Sequence, residues 1–68
     1  MEKNWVNIFT TNQIYLAEII KDVLADNDMQ AVIFNKQDSA YVTLGDIEIY
    51  VKAENVIKAK FLIKKLQN

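Results

Sequence analysis

DIEIYV, residues 46–51, sets Ile47, Ile49 and Val51 against Glu48 and Tyr50 at a spacing of two. Successive side chains on an extended backbone point to opposite sides, so this is a β-strand with one dry face and one wetter face. The dry face needs a covering layer, and the residues that follow supply one. AENVIKAKFLIKKL (53–66) brings Val56, Ala59, Ile63 and Leu66 round at helical spacing, with Ile57, Phe61 and Leu62 widening the stripe. Glu54 near the start and Lys64 and Lys65 near the end agree with the helix dipole.

Upstream, MQAVIFN (29–35) reads as another strand, with Met29, Ala31 and Ile33 on one face and Val32 and Phe34 on the other. NWVNIF (4–9) alternates too, placing Val6 and Ile8 against Trp5, Asn7 and Phe9. Between these two strands, Thr10 and Gln13 fit a capping box, and Phe9 and Ile14 a hydrophobic staple. Leu16, Ile19, Ile20, Val23 and Leu24 then recur at three- and four-residue spacing, predicting a helix over about residues 11–25. Asp26-Asn27-Asp28 ends it, with Asn27 expected in the left-handed cap.

The order β-α-β-β-α makes residues 1–68 a single α+β domain, a two-layer sandwich with two helices on one face of a three-stranded sheet. A right-handed crossover through the first helix and a hairpin between the second and third strands place the third strand in the middle. The other sheet face is then uncovered. Alternation assigns Trp5, Phe9, Val32, Phe34 and Tyr50 to it, an apolar surface of the kind that another chain covers or a ligand uses.

Composition narrows the chemistry. With 51% hydrophobic and 25% charged residues and no proline, the chain has what a small core needs. It has no cysteine and no histidine, which removes disulfides, thiol chemistry, the usual zinc ligands and the side chain best suited to proton transfer at neutral pH. A net charge of −1 argues against nucleic acid, which calls for a basic excess. The charge is uneven: Lys52, Lys58, Lys60, Lys64 and Lys65 lie late in the chain, whereas Asp22, Asp26 and Asp28 cluster before its midpoint. No apolar run approaches the roughly 18 residues of a membrane span, and Met-Glu-Lys leads straight into alternating residues, so a soluble cytoplasmic protein is expected.

Familiar site motifs fail on inspection. Asp26 and Asp28 are spaced like the first two ligands of a calcium loop, but Ala31 stands where the turn glycine belongs and Gln37 where the bidentate glutamate belongs. The single glycine, Gly45, excludes phosphate-binding glycine loops. Ser39 has only Lys36 and Asp38 near it in sequence, and no histidine to activate it, so neither a catalytic residue nor a metal or cofactor is assigned. The aromatic sheet face has the look of an RNA-stacking platform, yet the strands offer few lysines to meet phosphates.

Residues 35–51 admit two arrangements. Gly45-Asp46 can turn YVTL (41–44) back onto IEIY, or the second strand can pair with the third and leave residues 36–45 as a ten-residue excursion. Either way the polar portion is Lys36-Gln37-Asp38-Ser39-Ala40-Tyr41, and Lys36, Asp38, Ser39 and Tyr41 are its candidate binding residues.

Four segments, W-V-N-I-F-T-T-N, A-E-I-I-K-D-V-L, Q-A-V-I-F-N-K-Q-D-S-A-Y and G-D-I-E-I-Y-V, carry a resemblance over nearly the whole chain. The sequence resembles a family of small bacterial domains of unknown function described as putative prokaryotic signal-transducing proteins. Its most specific matches are Phe9-Thr10-Thr11-Asn12, Ala17-Glu18 and Ile47-Glu48-Ile49-Tyr50-Val51. The resemblance implies a shortened ferredoxin-like fold similar to the nitrogen-regulatory PII proteins, with an optional last strand for which only Gln67 and Asn68 remain. It favours the ten-residue excursion, which takes the place of the partner-contacting PII loop. The glycine-rich and basic nucleotide residues of those proteins, and a proline many relatives have near the third strand or second helix, are not matched here. The resulting expectation is a non-enzymatic regulatory or signal-transducing module, acting through residues 36–45 and the open sheet face on a protein partner or a second copy. The alternative is a sensor in which Lys36 and loop amides bind a nucleotide or other anion.

Overall fold

The computed structural model describes residues 4–36 and 46–67. Strand β1 (Trp5–Thr11) leads to helix α1 (Ile14–Asp26) and strand β2 (Ala31–Asn35). Strand β3 (Ile47–Lys52) leads through a single 3-10 turn (Ala53–Asn55) to helix α2 (Val56–Gln67). The strand order is β1-β3-β2, and β3 is antiparallel to both neighbours, as the crossover and hairpin rules require. Both helices cover one face.

Period-two alternation in β3 is complete. Ile47, Ile49 and Val51 are fully buried, and Ala17, Ile20 and Leu24 of α1 and Ala59 and Ile63 of α2 close over them, joined by Met29 and Ala31. Removing such isoleucine or leucine side chains from water contributes about 1.5–3 kcal/mol each, which makes this small cluster the main source of stability.

Both edges of β3 are paired. Ala31–Asn35 occupies one edge, in register from Ala31 against Val51 to Asn35 against Ile47, and β1 occupies the other. The Lys36 amide extends the β2 side by donating to the Asp46 carbonyl at 2.8 Å. Thus β2 is the strand that pairs with β3. Residues 37–45 themselves lie outside the described residues.

Five local expectations are corrected. The helix begins at Ile14, not residue 11, because Thr10 and Thr11 are drawn into β1 opposite Glu48 and Ile47. The capping box from Thr10 to Gln13 is therefore not formed; Gln13 is the N-cap residue, and its own amide donates to Thr11 Oγ1 at 3.1 Å. At the other end Asn27 has φ −106°, and Asp28 takes the left-handed conformation at φ 63°. The Met29 amide reaches back to Leu24 O (2.9 Å) and the Asp28 amide to Ala25 O (3.1 Å). This is the paired hydrogen-bond pattern that seats a helix end over a buried contact, here Leu24 with Met29. Asn27 instead donates its side-chain amide to Val23 O at 2.8 Å.

The β2 strand starts at Ala31, two residues later than its alternation suggested, because Met29 belongs to this helix end. In α2 the stripe is narrower than expected. Ala59 and Ile63 are buried and Val56 and Leu62 partly so, whereas Ile57, Phe61 and Leu66 are exposed. At about 100° per residue Ile57 and Phe61 point away from Ala59 and Ile63, so they lie on the outer face. Ile19 of α1 is exposed as well.

Asp28→Gly should raise the urea midpoint, because relief of about 1–2 kcal/mol of left-handed strain exceeds the roughly 0.5–1 kcal/mol of chain freedom that glycine adds. Asn27→Gly should lower it, through loss of the bond to Val23. Equal shifts of the same sign at the two positions would contradict the assignment of the cap.

Candidate functional site

The helix-free face of the sheet is read from the ladder, since residues directly opposite each other share a face. Glu48, Tyr50 and Lys52 of β3 lie there, with Trp5, Asn7 and Thr10 beside them on β1 and Val32 and Phe34 on β2. Of the five residues assigned to this face by alternation, Trp5, Val32, Phe34 and Tyr50 are on it and Phe9 is not. The register slips between Asn7 and Phe9, so that Phe9 falls opposite Ile49 and packs on the core, as does Ile8. A β-bulge adds one residue on one strand and thereby reverses the side assignment of everything beyond it.

Asn7 stabilises this bulge from both ends of its amide. Its Oδ1 accepts the Phe9 backbone N–H at 3.0 Å, and its Nδ2 donates to Glu48 Oε2 at 3.1 Å. Glu48 is the centre of the face. Its side chain is only 18% exposed, and a carboxylate so withdrawn from water needs compensating donors. Tyr50 Oη donates to Glu48 Oε1 at 3.1 Å, and Lys36 Nζ lies 3.3 Å from the same oxygen. The lysine is itself 54% exposed, so its ion pair contributes little stability; its ammonium also stands 5.7 Å from the Phe34 ring centroid.

The result is a polar knot of Asn7, Glu48, Tyr50 and Lys36, flanked by Phe34, Val32 and Trp5. Tyr50 is held above its ordinary value of 10, first by partial withdrawal from water and then by the hydrogen bond and negative charge of Glu48, with Lys36 and Asn7 opposing. The neutral phenol is thus favoured by folding. Because the folded value is raised, this contribution is fully present below about pH 10 and is lost as pH rises through the folded value.

Of the loop candidates, Lys36 is placed here, at the base of the excursion and against the sheet face, so that the two candidate regions meet. Asp38, Ser39 and Tyr41 lie outside the described residues. Asn7 and Glu48 were not singled out from sequence, although an asparagine inside a strand is itself a signal, being depleted there unless its amide has a use. Among the described residues no group of three or more carboxylates comes together to hold a metal ion. A cleft of about 280 Å³ lies elsewhere, between Asn4, Lys52, Ala53 and Glu54; it is shallow and falls below the roughly 300–1,000 Å³ of small-molecule sites.

Comparison with known proteins gives one match. The model of the DUF2007 family, described as putative prokaryotic signal transducing protein, matches residues 5–67. No curated protein and no solved structure matches the chain. Among the described residues no helix is long and apolar enough to cross a membrane.

Asn7→Ala should destabilise the fold by about 1–3 kcal/mol, because it leaves the Phe9 N–H and Glu48 each short of a partner; urea unfolding measures the loss. Glu48→Gln should lower the Tyr50 titration midpoint, read from the ring resonances of labelled tyrosine. An unmoved Tyr50 would contradict the Glu48 contact.

Proposed function

The chain belongs to this DUF2007 family of putative prokaryotic signal transducing proteins, and from that premise we propose that it is a non-enzymatic regulatory module that binds a protein partner through the open sheet face. The observation that carries this reading is the Glu48 knot. It fixes a charged, hydrogen-bonding centre among Trp5, Val32, Phe34 and Tyr50, and all three strands hold it in place. Buried apolar anchors around a few oriented polar groups are what protein interfaces use, and a rigid sheet presents them at little ordering cost. The acid–base resources of the knot are already committed: Glu48 accepts from three donors, and the Tyr50 phenol is stabilised in its neutral form. That arrangement suits recognition better than proton transfer.

Lys36 joins the start of residues 36–45 to Glu48, so a partner that engages Asp38, Ser39 or Tyr41 would be read together with the sheet face. The β-α-β-β-α order shared with PII-type regulators supports that role for the loop, and the composition supports action in the cytoplasm. The exposed Lys36 ammonium favours the second reading, a sensor for a nucleotide or other anion.

Co-purification from the native host distinguishes these readings. The wild-type chain should capture a partner that Phe34→Ser and the triple change Asp38→Ala, Ser39→Ala, Tyr41→Ala each lose, with melting temperature unchanged. Capture equal to wild type by the Phe34→Ser variant would refute the sheet-face proposal. A thermal shift with millimolar nucleotide, abolished by Lys36→Ala, would replace it with the sensor reading.

A further inference from the structure

The exposed apolar side chains of this protein are concentrated on its helices, not on its open sheet. Among the described residues Phe34 is the one large hydrophobic side chain exposed on the sheet, whereas Ile57 is 87% exposed, Tyr15 62%, Phe61 60% and Ile19 47%. Single exposed hydrophobic residues are ordinary. These four are not scattered. Tyr15 and Ile19 are one turn apart on the outer side of α1, and Ile57 and Phe61 are one turn apart on the outer side of α2.

The charges around the two pairs are opposite in sign. On α1, Glu18, Asp22 and Asp26 are exposed against the single cation Lys21. On α2, Lys58, Lys60, Lys64 and Lys65 are exposed and no acidic residue is present; Lys65 Nζ lies 5.5 Å from the Phe61 ring centroid. One helix layer therefore carries an acidic apolar ridge beside a basic apolar ridge. Topology sets these ridges antiparallel. The α1 helix crosses between the parallel strands β1 and β2 and runs against them, whereas α2 returns along β3 in the opposite sense.

We propose that this outer helical surface is where a second copy of the chain docks, with α1 of each copy lying on α2 of the other. A two-fold axis along the helix direction makes the same contact twice, which is the isologous form that closes on a dimer. Ile19 meets Phe61 at the centre of each contact, with Tyr15 toward the Lys64 and Lys65 end of α2 and Ile57 toward the Asp22 and Asp26 end of α1, and Glu18 and Asp22 meet Lys64 and Lys60. Charge complementarity sets the register and excludes the alternative in which α1 lies on α1. The open sheet faces stay free at the two ends of such a dimer. The proposal therefore stands apart from the partner site around Glu48.

Sedimentation of the wild-type chain and of two variants tests it. The wild type should form dimers at low salt that weaken at high salt. Glu18→Lys with Asp22→Lys makes both helices basic, and Lys60→Glu with Lys64→Glu cancels the net positive charge of α2 and sets acidic side chains against Glu18 and Asp22; all four positions are exposed, so melting temperature should be little changed. Each variant alone should dimerise at least about tenfold more weakly than wild type, and a mixture of the two should recover a heterodimer. A monomeric wild type, dimerisation unaltered in both variants, or a mixture that stays monomeric would overturn the proposal. So would a dimer abolished by Phe34→Ser, which would assign association to the sheet, or a monomeric wild type that sediments with phosphatidylserine vesicles, which would assign the lysine face to anionic lipid.

Discussion

Every other element is placed by the confinement of β3 on three sides. Both of its edges are hydrogen-bonded, to β1 and to β2, and its inner face lies under two helices with Ile47, Ile49 and Val51 fully buried. Among the described residues no second core exists to compensate if this strand moves. Period two then leaves no choice about the other side. If the isoleucines are in, Glu48 and Tyr50 are out, at the middle of the open face. The packing of the core and the position of the polar knot follow from the same alternation.

That alternation explains why so much of the fold is legible in the sequence. The one-sided pattern of residues 46–51, the helical spacings on either side and the handedness of the crossover lead directly to two helices on one face of a sheet ordered β1-β3-β2. What escapes the sequence is decided between elements. Phe9 alternates with Ile8 on paper, but the bulge at Asn7 turns both toward the core, and the bulge exists because the Asn7 amide can serve the Phe9 N–H and Glu48 together. The left-handed residue is Asp28 and not Asn27, because placing Leu24 against Met29 outweighs the preference of asparagine for positive φ.

The helices teach a related lesson. Hydrophobic spacing in α2 marks a wide stripe, yet a three-stranded sheet beside α1 has room to bury only Ala59 and Ile63 fully. Ile57 and Phe61 are left outside with lysines around them. Periodicity counts apolar residues; it does not know how much surface the other layer offers. The candidate site was legible to the same degree. Aromatic residues on the open face could be read from alternation, whereas the carboxylate that organises them became apparent only when Asn7, Tyr50 and Lys36, far apart in the chain, came together on it.

Two surfaces thus share one rigid support, a partly polar sheet face and a charge-segregated helical face, with β3 between them. Amide hydrogen exchange on uniformly labelled protein measures that support most directly. Residues 47–51 should exchange at the rate of global unfolding, together with the Lys36 amide bonded to Asp46 O, and no slower class should exist elsewhere in the molecule. Exchange of β3 through a local opening, while α1 or α2 remains protected, would show that the strand is not what holds the structure together.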